Sequence, residues 1–178
     1  MSFEEILQFL DTRKKLLDGV VLSGGECTLH SGIESFIREI KKRDLLVKID
    51  TNGTNPQILQ KLIQANLIDY VALDFKALPD QFYFITQSDL FNKFEKSLEL
   101  LVSSDLPFEV RTTVHAKLID AHSIQQMMAY LKKKNYKGIY YVQNFLNDTP
   151  TLENLEYDYQ KLTLEDINSN ALEVVIRN

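Results

Sequence analysis

Five polar clusters in this chain each follow an apolar run, and their residue types could hold a small charged molecule. Ser23-Gly24-Gly25-Glu26 follows Val20-Val21-Leu22, and Asp50-Thr51-Asn52-Gly53 follows Val47 and Ile49. Asp74 and Lys76 follow Val71 and Leu73, Arg111 and Thr113 follow Val110, and Gln143-Asn144 follows Val142. Adjacent glycines let the backbone turn sharply and bring main-chain groups close to a ligand with no Cβ between. Charges at the ends of apolar runs are costly unless paired or used. Four of the five have a plain structural reading: a strand-to-loop turn at Gly-Gly-Glu, a turn dipeptide at Asn52-Gly53, a salt bridge of Asp74 with Lys76, and a rim carboxylate for Arg111. Together they are better read as one binding rim, because strand C-termini are where α/β folds bind ligands.

The elements that must position this rim alternate along the whole chain. A helix opens at Ser2, with Ser2 and Glu5 as a capping box and Phe3, Ile6, Leu7, Leu10 and Leu17 on one face. A second box, Ser31 with Glu34, starts a helix carrying Ile33, Phe36, Ile37 and Ile40, and Asn55-Pro56 starts a third. After a loop holding Pro79, a helix carries Leu90, Phe91, Phe94, Leu98 and Leu101, and another carries Ile124, Met127, Met128 and Leu131. A short helix capped by Thr163 comes last. Strands are predicted at 19–23, 45–50, 70–76, 108–114, 139–144 and 172–176. Residues 146–162 read as a long acidic loop beside the strand ends, of a length usual for functional lids or partly disordered segments. Alternating helices and strands imply an α/β fold with a parallel sheet and right-handed crossovers. The pattern suits a partial parallel (βα)6-type barrel in one domain, 1–178. Because the chain opens on a helix, a β-first architecture leaves one strand unaccounted for.

Composition narrows the function classes. The chain has 178 residues, 44% hydrophobic and 25% charged, with a net charge of −5. That balance argues against a nucleic-acid surface, which needs clustered cations. The basic clusters at 13–15, 41–43 and 132–134 fall near helix ends, where they suit the macrodipole. No apolar stretch approaches the roughly 18 residues of a membrane span, and a single cysteine, Cys27, fits a reducing cytoplasm. No histidine pair has metal-ligand spacing, and Cys27 has no cysteine partner, so zinc is not expected. His30 at the mouth of the Gly-Gly-Glu loop and His115 just past a strand end could touch a ligand; His122 reads as a helix-start surface residue.

The segments Val20 to Glu26, Asp50 to Gly53 and Val71 to Lys76, in that order and spacing, resemble the radical S-adenosylmethionine superfamily. They are most similar to activating enzymes of glycyl radical proteins, above all the anaerobic ribonucleoside-triphosphate reductase activating protein, with the pyruvate formate-lyase activating enzyme as a near relative. The resemblance implies S-adenosyl-L-methionine bound by Ser23, Gly24, Gly25 and Glu26, the glycine-loop backbone taking its amino group. It implies that Asp50, Thr51 and Asp74 hold a monovalent cation near the cofactor carboxylate, and that Asn52, Lys76, Arg111, Thr113 and Asn144 also line the cofactor. It further implies a [4Fe-4S] cluster, reductive cleavage to a 5′-deoxyadenosyl radical, a large glycyl radical enzyme as partner, and flavodoxin or ferredoxin as electron donor.

One departure stands out. The family holds its cluster with a Cys-x3-Cys-x2-Cys loop ahead of a helix matching Ser2 to Leu17, whereas here Cys27 follows Gly-Gly-Glu. The cluster loop and the unaccounted strand point to the same N-terminal segment. The chain therefore reads as a C-terminal portion of such an enzyme, inactive by itself, with a sheet edge that could pair with a second copy. Two other classes remain: a barrel enzyme using Lys76 as a Schiff-base or carboxylate-binding residue, and a non-catalytic scaffold or binding module.

Overall fold

The computed structural model describes residues 2–147, 157–158, 160–167 and 172–177. Helix α1, Phe3–Arg13, starts with the expected box: Ser2 Oγ accepts from Glu5 N–H, and Glu5 accepts from Ser2 N–H. It stops before Leu17, and only Leu10 on it is fully buried. Strand β1 is Gly19–Leu22, and α2 is Ile33–Lys41. The expected Ser31/Glu34 box does not form. The cap position is Gly32, whose N–H donates to His30 Nδ1 at 3.1 Å, while the His30 ring sits 4.7 Å from that of Phe3. Glu34 instead pairs with Arg38 one turn on, as i,i+4 geometry favours.

Strand β2 is Leu46–Thr51, α3 is Pro56–Gln64 and β3 is Tyr70–Asp74. Asn55 caps α3 through its side chain, with Pro56 at the first helical position. Pro79 does not lie in a loop. It opens α4, Pro79–Thr86, where its missing N–H is harmless; Phe82 is that helix's buried residue, too short an apolar signal to show helical spacing. Then come α5, Phe91–Val102; β4, Phe108–Val114; α6, Ala121–Lys133; β5, Tyr140–Asn144; and β6, Val174–Arg177. Most of the acidic stretch at 146–162 lies outside the described residues.

The strands stand in one six-stranded sheet in sequence order, and β1 with β2, β2 with β3, β4 with β5 and β5 with β6 pair in parallel. The α/β class and six strands are as the sequence predicts. Helices connecting parallel neighbours cover the sheet, so the strands carry continuous apolar runs: Val71, Ala72 and Leu73 are all fully buried.

The chain divides into two compact units. The first holds the chain up to Asp74 together with Asn92–Phe108, and the second holds Phe75–Phe91 and the described residues from Glu109 onward. In the first, Val47, Ile49 and Thr51 on one face of β2 are buried, while Lys48 and Asp50 look the other way. In the second, Val110, Thr112 and Val114 are buried, and Arg111 and Thr113 alternate with them. Pleating thus gives β2 and β4 each one buried face and one more polar face.

Candidate functional site

In the first unit the candidate site begins at the glycine loop. Gly24 and Gly25 have φ of +97° and +54°, and a Cβ built on either meets nothing within 4 Å. These left-handed conformations favour glycine, and the loop backbone faces open space. Ser23, Gly24 and Gly25 are exposed, and the next residue anchors them. The Glu26 carboxylate accepts four hydrogen bonds: from Thr28 N–H at 3.1 Å, Thr28 Oγ1 at 2.6 Å, Thr51 Oγ1 at 2.7 Å and Asn52 N–H at 2.7 Å. Glu26 thereby knots the loop after β1 to the loop after β2.

The second loop is braced in turn. Gly53, at φ +73°, donates its N–H to Thr51 Oγ1, and its carbonyl accepts from the buried Ser97 at 2.7 Å. A Cβ there would meet Leu73 Cδ1 at 2.9 Å, so a larger residue would be strained and would have to displace its neighbours. Asn52 Oδ1 accepts from Thr54 N–H and Oγ1, and Asn55 Nδ2 donates to Thr28 O. Asp50 turns to the polar face with its carboxylate 12% exposed, and Lys48 Nζ lies 3.1 Å from its Oδ1. Lys48 was not anticipated; its only signal is its position two residues before Asp50, on the same strand face. Asp74, at the end of β3, shares that face, since Asp50 pairs with Ala72 and side chains alternate.

Cys27 donates its Sγ–H to Asp50 O at 3.4 Å, and burial, reinforced by the Glu26 charge, pushes its thiol up to about 12. It is a protonated structural thiol at neutral pH. Beside it a cavity of 440 Å³ is lined by Phe3, Val21, Ser23, Gly24 and His30.

In the second unit, Arg111 and Thr113 stand next to Tyr141 and Gln143, and Gln143 stands next to Arg177. Arg177 lies 3.5 Å over the Tyr141 ring and reaches both carboxylate oxygens of Glu109, at 3.0 and 3.1 Å. Sequence reading singled out neither partner; an arginine closing the apolar run Val174 to Ile176 is the trace it left. Asn144 is placed otherwise than Arg111 and Thr113: it pairs with Val114 on the opposite face and is buried. Its amide clamps Leu162, donating to the carbonyl at 3.2 Å and accepting from the N–H at 2.9 Å. Lys76 follows Phe75, whose carbonyl accepts from Thr112 Oγ1 at 2.6 Å. Buried His115 accepts from Lys117 N–H and packs edge-on against Phe145.

Compared with known families, residues 1–131 match the model of the radical SAM superfamily. The chain belongs to the radical SAM superfamily. A Methanocaldococcus jannaschii protein assigned as a glycyl-radical enzyme activating enzyme is 33% identical over 151 residues, covering 82% of this chain. The chain spans 61% of that relative's length. Among solved structures, a domain of pyruvate-formate lyase-activating enzyme from Bacteroides vulgatus superposes with a TM-score of 0.69 at 13% identity, covering 90% of this chain and 99% of that one. Streptococcus suis SuiB bound to S-adenosylmethionine gives 0.72 at 13% identity, over all of this chain and 44% of that one. These likenesses establish the radical SAM fold, an α/β partial barrel in those neighbours. Among the described residues no helix is long and apolar enough to cross a membrane.

The superfamily implies two groups, and the residues fit them unequally. Exposed glycines at positive φ with open space beside them, held by a knotted carboxylate, suit close approach of a ligand such as S-adenosylmethionine to the backbone. An iron–sulfur cluster needs several thiolates. The sequence has one cysteine, and its thiol is hydrogen-bonded and held protonated. The cysteine present does not fit a cluster.

Proposed function

We propose that this chain carries the S-adenosylmethionine-binding part of a glycyl-radical enzyme activating enzyme. The observation that supports it most is the Ser23–Glu26 loop, two open glycines at positive φ fixed by the four-donor Glu26 knot, in a chain similar to an assigned activating enzyme. In this reading the glycine-loop backbone receives the cofactor's amino group. Asp50, Asn52 and Asp74 of the same unit line the remainder, and Glu26 keeps the loop open. S-adenosylmethionine, bound beside a reducing cluster, supplies the radical chemistry that removes a hydrogen atom from a partner's backbone glycine. The cluster's thiolates are not among these 178 residues, so the chain alone is inactive in this proposal. The partner in this reading is an anaerobic ribonucleotide reductase in a reducing cytoplasm, with flavodoxin or ferredoxin as donor and pyruvate formate-lyase as the alternative partner. A second copy pairing along the outer edge of β1 belongs to the same proposal.

Binding of radiolabelled S-adenosylmethionine to the chain by equilibrium dialysis tests the reading. Saturable binding is expected, at least tenfold weaker in Gly25→Ala, where φ of +54° costs an alanine only about 1 kcal/mol. A chain that binds no S-adenosylmethionine, or a folded Gly25→Ala that binds it equally well, sinks the proposal.

A further inference from the structure

One side chain joins the turn that follows the glycine loop to the start of α3. Thr28, in the single helical turn Cys27–Leu29, is 2% exposed and fastened on both sides. Its N–H and hydroxyl donate to Glu26 Oε1, and its carbonyl accepts from Asn55 Nδ2 at 2.8 Å. Asn55 is also the cap of α3, where its Oδ1 accepts from Ile58 N–H at 3.5 Å. The reach across 27 residues is therefore the shorter of its two bonds. Capping alone would be served as well by Ser or Asp. Serving both partners takes an acceptor and a donor on one short stem, which asparagine has and Ser, Asp and Ala lack.

The contacts form a closed circuit. Glu26 holds Thr28, Thr28 holds Asn55, and the chain runs back from Asn55 to Asn52 and Thr51, the other two donors to Glu26. A buried carbonyl stripped of its donor is costly to leave dry. Without the Asn55 amide the turn would have to shift until Thr28 O met water, carrying two of the four donors away from Glu26. We propose that Asn55 is a positioning residue for the Ser23–Glu26 loop: by donating to Thr28 O it closes this circuit and sets how the glycine backbone meets its ligand. The identity of that ligand rests on the S-adenosylmethionine reading above; the circuit stands without it.

The test combines site-resolved amide exchange by NMR with equilibrium dialysis of radiolabelled S-adenosylmethionine, both on the full 178-residue chain. The decisive variant is Asn55→Asp, whose ionised carboxylate still accepts from Ile58 N–H and suits a helix N-terminus but has no proton for Thr28 O. The Thr28 and Asn52 amides are expected to exchange about fivefold faster or more, with the Ile58 amide unchanged, because the opening is local to the circuit. S-adenosylmethionine is expected to bind about fivefold more weakly or worse, since a loop that must be re-ordered on binding loses affinity. Asn55→Ala is expected to loosen Ile58 as well. A residue that only caps α3 would leave Thr28 and Asn52 at wild-type rates in Asn55→Asp. A folded Asn55→Asp with wild-type exchange at Thr28, or with wild-type affinity for S-adenosylmethionine, overturns the proposal. If Asn55→Asp does not fold, Asn55→Ser, which caps but falls a bond short of Thr28 O, decides it by the same criteria. A wild-type chain that binds no S-adenosylmethionine removes the cofactor reading alone, and the exchange rates of the variants then uphold or overturn the role of Asn55 in the loop.

Discussion

Each compact unit withdraws a glutamate from water, and the two do so in opposite ways. Glu26 in the first unit accepts from two backbone N–H groups and two hydroxyls, all in the loops after β1 and β2. Glu109 in the second, 7% exposed, is reached by the Arg177 guanidinium, which lies across an aromatic ring. Neutral donors fix the positions of the backbone atoms that carry them; a charged partner fixes mainly a charge and two side chains. The first arrangement shapes a loop, whereas the second ties β6 to β4.

The largest effect on this contrast is expected from Glu26→Ala. It strands donors on Thr28, Thr51 and Asn52, and hydrogen bonds to a charged group are each worth about 1.5–3 kcal/mol without being additive. A loss of about 3–4 kcal/mol in urea unfolding is expected, together with loss of S-adenosylmethionine binding. A Glu26→Ala chain that keeps both would show the knot to be incidental. Arg177→Met comes next, at about 2–3 kcal/mol, below the figure for a fully buried pair because the Arg177 side chain is 35% exposed. Adding Glu109→Gln is expected to recover part of that loss, whereas no second substitution at a single residue can repair Glu26. Equal losses with no coupling would erase the distinction between the units.

The smallest effect is kinetic. With its thiol pushed up to about 12, Cys27 is expected to react with iodoacetamide at pH 8 more slowly than an unhindered thiol, by roughly two to three orders of magnitude. The neutral thiol is the favoured form in the fold, so the rate is expected to keep rising tenfold per pH unit above pH 9, where an ordinary thiol has levelled off. An early plateau would place the thiol outside the influence of burial and of the Glu26 charge.

Much of the fold was legible because its signals are local. Ser2 with Glu5 and Asn55 with Pro56 act within three residues, and both caps form as read. The Ser31 box does not form because the cap falls one residue on, at Gly32, and Glu34 turns to Arg38. The helix that Pro79 opens leaves no helical spacing in the sequence, because it is short and buries chiefly Phe82. The polar clusters were legible as strand-end groups, but not their partners. Glu26 meets Asn52 across 26 residues, and Glu109 meets Arg177 across 68. Asn144 likewise turned to Leu162 across 18 residues, an engagement that its place at a strand end did not signal.

The sequence by itself determined the alternation of helices and parallel strands, the glycines where the chain must turn, and the lack of cluster-binding cysteines within it. These follow from periodicity, backbone sterics and side-chain chemistry, which act over a few residues. Only the tertiary structure decided that Glu26 organises two loops, that Lys48 accompanies Asp50, and that Cys27 stays protonated. Such properties depend on which groups a shared register brings within about 3 Å of one another, and on how much water the packing leaves around them.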